Sequence, residues 1–169
     1  MLSDQHTETL VHAVISSRLD YCNSMYFNMS KSNIYKLQKV QNSAARLISR
    51  KSRRQSVEHV MNELHWLRVE SRILFKILLL VFKTIKYDLP MVFEYKSHNC
   101  RPSDFLTLQE KHCNSKYGKR TFDYAGPRLW NALPLHIRTE ESIEVFKKQI
   151  KTILFTNTPV FMRKSFLYQ

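Results

Sequence analysis

The chain has almost no glycine. Two glycines and five prolines in 169 residues leave few sites for tight turns, which disfavours a many-stranded sandwich or barrel and favours long helices. Cysteine is also scarce: Cys22, Cys100 and Cys113 are too few, and odd in number, for a secreted disulfide framework. No signal peptide precedes them, so the expected setting is intracellular and reducing, in nucleus or cytoplasm. The most apolar stretch, Ile73 to Phe82, is interrupted by Lys76 and falls short of the roughly 20 residues a membrane span needs. It reads as a buried helix, and a membrane is not among the expected partners. Finally, no acidic residue occurs between Tyr21 and Val57.

What fills that acid-free stretch is positive charge, from Lys31, Lys36, Lys39, Arg46, Arg50, Lys51, Arg53 and Arg54. The whole chain agrees in sign, since 27 Lys and Arg against 14 Asp and Glu give +13 and a pI near 9.8. Nucleic acid is the first partner such a surplus suggests. On a helical wheel Ile34, Leu37, Val40, Ala44, Leu47 and Ile48 fall on one side, and Lys36, Lys39, Arg46, Arg50 and Arg53 gather on the other. One helix, about 32–51, can therefore pack inward and bind outward. It is entered at Ser30 or Ser32, either of which can cap the first turn.

With 43% hydrophobic and 12% aromatic residues there is material for a core, and the expectation is mainly α: a compact helical bundle forming one domain over 1–169. Residues 1–95 make the bundle. A first helix runs from about Thr7 to Ser17, a short one from Ser56 to Leu64, and a long apolar one from Glu70 to Lys86, with Phe75 as a core anchor. Glu70 and the pair Lys83 and Lys86 suit the dipole of that long helix, and Pro90 stops it. Trp66 anchors the corner before it. Residues 96–138 form an irregular connection with a short strand near Phe105 to Leu108, order returning at Tyr117 where Gly118 and Gly126 meet local backbone demands. A C-terminal helix lies within 139–157, from Ser142 to Phe155, and 158–169 form a loose tail.

The residues do not assemble an enzyme. Two-metal phosphoryl transfer needs converging carboxylates, yet Asp4, Asp20, Asp88, Asp104 and Asp123 are scattered singly. Asp20 reads as a turn or capping residue paired with Arg18. His98, Cys100, His112 and Cys113 carry zinc-type ligands at the wrong spacing, because His112 and Cys113 are adjacent and no cysteine pair has a two-residue gap. Two glycines eight positions apart cannot form a phosphate-cradling amide nest. No catalytic residue, metal or cofactor is expected.

Four collinear blocks carry a resemblance. They are Ser17-Arg18-Leu19-Asp20-Tyr21-Cys22-Asn23-Ser24; Leu37 to Ile48; Leu64-His65-Trp66-Leu67 leading into Arg72 to Leu78; and Tyr117 to Phe122 followed by Pro127 to Pro134 and Ile137-Arg138. Together they resemble the C-terminal part of LINE-type non-LTR retrotransposon reverse transcriptases. Arg68 stands where relatives usually carry proline, and Gly126 where alanine is common. That family polymerises DNA on an RNA template with palm aspartates that precede the matching region. The Tyr-x-Asp-Asp type motif, fingers and endonuclease are all missing here. The resemblance thus implies the thumb and the region beyond it, a non-catalytic piece, and a reading frame starting at Met1 implies a truncated element. Thumbs of such enzymes hold the primer-template backbone. On this sequence that role falls on Lys36, Lys39, Arg46, Arg50, Arg53 and Arg54, with RNA, DNA or an RNA–DNA hybrid as ligand and other polymerase domains as further partners. The alternative is a protein-interaction module docking through Leu129, Trp130, Leu133 and Pro134. Trp130 is the third expected structural anchor, beside Trp66 and Phe75.

Overall fold

The computed structural model describes residues 3–50, 52, 55–87, 93–96 and 106–156. The fold is mainly helical, as composition and periodicity imply, and a single isolated bridge is the extended pairing among the described residues. The chain falls into two compact units, Met1–Ile73 and Leu74–Gln169.

In the first unit, α1 (Asp4–Val11) starts at Ser3, whose hydroxyl accepts the His6 amide at 3.3 Å. It runs through a π-helical segment, His12–Ser16, into α2 (Ser17–Asp20). The long basic helix α3 (Lys31–Ser49) begins at Ser30 and ends where Arg50 adopts the left-handed conformation with φ 53°. Helix α4 (Glu58–Glu63) follows, and α5 (Val69–Lys86) opens in this unit. Val11, Ala44, Ala45, Val57, Val60, Met61 and Trp66 form the core, with Ile15, Ile48 and Leu64 against it. The small Ala44 and Ala45 let α3 approach α1, the π segment and α4 closely. Trp66 is buried as expected of an anchor, its ring edge-on to His12 at 5.3 Å.

Two polar residues of α3 fix the corner between α4 and α5. Gln41, 1% exposed, donates to the Leu67 carbonyl at 2.8 Å. Gln38 accepts the Val69 amide at 3.0 Å, so one of the unsatisfied first-turn donors of α5 is capped from a helix 31 positions away. Asp20 departs from the expected pairing with Arg18: it accepts from Arg72, at 2.7 Å from Nε, and through a second contact from the Arg72 Nη2. Two blocks of the resemblance thereby meet as a structural ion pair.

The second unit holds the rest of α5, whose Leu74, Ile77, Leu78, Val81 and Phe82 are buried while Phe75 is only half-buried. The long helix is therefore core-forming on one face rather than all round. Pro90 and the tail 158–169 lie outside the described residues. Tyr95 and Leu108 make the antiparallel bridge, near the expected strand; Phe105 is not described.

The largest departure from expectation lies in 96–138, where the structure contains α6 (Phe122–Asn131) and α7 (Leu135–Arg138). Helix α6 runs through Gly126-Pro127, a pair that reads as a helix break. A proline inside a helix lacks the amide for the carbonyl four residues back, and its ring crowds that carbonyl and the preceding residue; Gly126, with no Cβ, eases only the last of these. Neither glycine of the chain has a positive φ. They serve close approach: a Cβ on Gly126 would meet Val81 Cγ2 and Phe93 Cζ at 3.0 Å, and one on Gly118 would lie 2.2 Å from Cys113 Sγ. Helix α8 (Ile143–Thr156) buries Phe146, Ile150 and Leu154. Its Phe146 ring stacks on Phe82 at 4.1 Å and approaches Trp130 at 5.9 Å.

Candidate nucleic-acid interface

Helix α3 determines which cations can reach a ligand. Its inward stripe is Gln41, Ala44 and Ala45, with Ile34, Leu37, Gln38 and Ile48 half-buried. Lys31, Ser32, Tyr35, Lys36, Lys39, Val40, Ser43, Leu47 and Arg50 face solvent. This corrects the wheel, which has Val40 and Leu47 inside: they are 47% and 58% exposed. The physical cause is the pair of glutamines, whose bonds to Leu67 and Val69 rotate a polar position into the core and turn two aliphatic ones out.

The cations expected to bind sort into three groups. Lys36 and Lys39 are exposed and, among the described residues, pair with no carboxylate; the Lys39 ammonium sits over the Tyr35 ring at 4.7 Å. Arg50 is exposed at the helix end, where positive charge also suits the dipole. Arg46 is half-buried, and its Nη2 donates to the Gln55 carbonyl at 3.4 Å, so it ties α3 to the following segment. Arg53 and Arg54 lie outside the described residues. At ~1.5 Å per residue, Lys36 and Arg50 are separated by about 20 Å along the helix, room for several phosphates.

Four carboxylates of this unit are engaged elsewhere: Glu8 with His12 at 3.7 Å, Glu58 with Arg68, Glu63 with His59 at 3.2 Å, and Asp20 with Arg72. Lys31 lies at the positive end of α3, and its first turn contains no acid. A lysine there costs rather than contributes helix stability. Helix stability therefore does not explain the placement of Lys31.

No protein-family model, curated protein or solved structure matches the chain. Its function has to be argued from its own residues.

Among the described residues no group of His, Cys, Asp and Glu is arranged to hold a metal ion. Cys113 is turned to the Ser115 carbonyl at 3.7 Å, while His98 and Cys100 are not described. No helix of the described residues is long and apolar enough to cross a membrane. The docking patch expected at Leu129, Trp130, Leu133 and Pro134 is not a surface: the first three are 0%, 1% and 3% exposed. Trp130 donates from Nε1 to the Leu106 carbonyl at 2.9 Å, and neighbouring Asn131 brackets Leu108, accepting its amide at 2.8 Å and donating to its carbonyl at 2.9 Å. Trp130-Asn131 thus holds an extended segment as a neighbouring strand would.

Sequence reasoning missed a shallow apolar groove of about 430 Å³ lined by Ile15, Lys39, Val40, Ser43, Ala44 and Leu47. The signal for it was the excess of aliphatic positions on α3 over those one narrow stripe can bury.

Proposed function

We propose that the chain is a non-catalytic nucleic-acid-binding piece resembling the thumb region of a LINE-type reverse transcriptase, gripping backbone phosphates with the outer face of α3. The observation that carries this is the exposed pair Lys36 and Lys39, free of carboxylate partners among the described residues, in a stretch with no acid from Tyr21 to Val57. Such contacts read charge and strand geometry rather than base sequence. Fluorescence anisotropy with an RNA–DNA hybrid tests it. Lys36→Glu/Lys39→Glu should weaken binding at least tenfold, given about 1 kcal/mol or more for each reversed phosphate contact, and equal affinity of the two proteins would refute the assignment. Arg46 is a poorer probe, because its bond to Gln55 mixes folding into the readout.

A second reading, as an interaction module, draws support from the apolar groove beside Val40 and Leu47. The acid-free rim carrying Lys39 suits an acidic, apolar partner segment, such as one from a neighbouring polymerase domain.

A further inference from the structure

The second unit carries its own cluster of cations around an exposed ring. From Lys111 to Phe122 the sequence has no acid, and it contains Lys116, Tyr117, Lys119 and Arg120. Lys111 is taken by Asp123, 3.0 Å away. Lys116, Lys119 and Arg120 pair with no carboxylate among the described residues. Tyr117 is 77% exposed, and the Arg120 guanidinium lies over its ring at 5.5 Å. A lone exposed tyrosine is ordinary. This one is held in place by its turn. The Gly118 amide donates to Ser115 Oγ at 2.8 Å, the Lys119 amide to the Ser115 carbonyl at 3.1 Å, and the Arg120 amide to the Tyr117 carbonyl at 3.0 Å. Thr121 Oγ1 donates to the Gly118 carbonyl at 2.8 Å, and Gly118 packs closely against Cys113 Sγ.

An aromatic face backed by arginine and flanked by unpaired lysines is the arrangement single-stranded nucleic acid uses. Bases stack on the ring whatever their identity, and phosphates meet the cations. The turn fixes the backbone that carries the ring, so no loop has to be ordered for the ring to meet a base. We propose that the Tyr117 turn is a second contact, specific for single-stranded nucleic acid, with Tyr117 stacking on a nucleobase and Lys116, Lys119 and Arg120 meeting the adjoining phosphates. It rests on the nucleic-acid reading for the class of ligand only, since its residues and its preferred strand form differ from those of α3.

The test uses the full chain and single-stranded oligo-dT and oligo-U of about twelve nucleotides, within the span such sites cover, each with one central 2-aminopurine. Stacking quenches that fluorophore. Wild type and Tyr117→Phe should bind and quench. Tyr117→Ala should lose quenching and roughly tenfold in affinity, with an unchanged circular dichroism spectrum because the ring is exposed. An alanine variant that binds and quenches like wild type overturns the proposal, as does a wild type that does not bind single strands. Lys36→Glu/Lys39→Glu keeps the two sites apart. If it spares single-strand quenching and loses the hybrid, both sites stand; if it loses neither, only the α3 assignment falls.

Discussion

Glycine scarcity has a measurable consequence at single residues. Cys22, Asn28, Arg50, His65 and Leu106 all have positive φ, a region that costs a residue with a Cβ about 1–2 kcal/mol. His65 is the clearest case. It follows α4 in the left-handed conformation, its amide donating to the Asn62 carbonyl at 3.0 Å and the Trp66 amide to the Met61 carbonyl at 2.8 Å. That paired closure is the Schellman ending, which normally uses glycine. His65→Gly should therefore stabilise the fold by about 0.5–1 kcal/mol, the relief of strain exceeding the added freedom of the unfolded chain. Urea titration reads this directly, and a lower midpoint would mean that the imidazole makes a contact worth more than the strain. Such positions are hard to read in a sequence, because the bonds that force them close only after the helix has formed. Trp66 and Trp130 were legible for the opposite reason, since rings of that size are rarely stable outside a core in a chain this polar.

Among elements, α3, α5 and α8 were readable because each repeats apolar residues over several turns, and helical periodicity survives any tertiary setting. Helix α6 was obscured by Gly126-Pro127, a pair that costs a helix a backbone hydrogen bond and is carried here by burial of both residues in the core. The rotation of α3 was hidden too: Gln41 counts as polar in a wheel, yet it is buried because a carbonyl 26 residues away accepts its proton. The two proposed uses of the exposed face separate experimentally. Val40→Ser/Leu47→Ser removes aliphatic surface that is already half in water, so the fold should persist and hybrid affinity should stay within about twofold if phosphates are gripped by lysine. If the groove instead receives a partner segment, sedimentation velocity of the wild type should show self-association at high concentration that the serine pair abolishes. A wild type that sediments as a monomer throughout shows that the groove does not receive a second copy of the chain.

For the whole molecule the question is whether +13 acts as a diffuse field or through a defined face. A diffuse field responds to total charge wherever it is altered; a face responds to position. Lys148 and Lys151 on α8 are exposed like Lys36 and Lys39, so Lys148→Glu/Lys151→Glu changes net charge by the same amount at another place. Each phosphate contact releases bound counterions and adds about 0.9 to the slope of log affinity against log salt on a duplex. The α3 pair should flatten that slope by about two in hybrid titrations, while the α8 pair should leave both the slope and the affinity nearly unchanged. Equal flattening by both pairs would mean that the chain attracts nucleic acid by overall charge and that α3 has no privileged role. A loss confined to the α3 pair would show that a few ammonium groups on one exposed helix face decide how this basic chain binds.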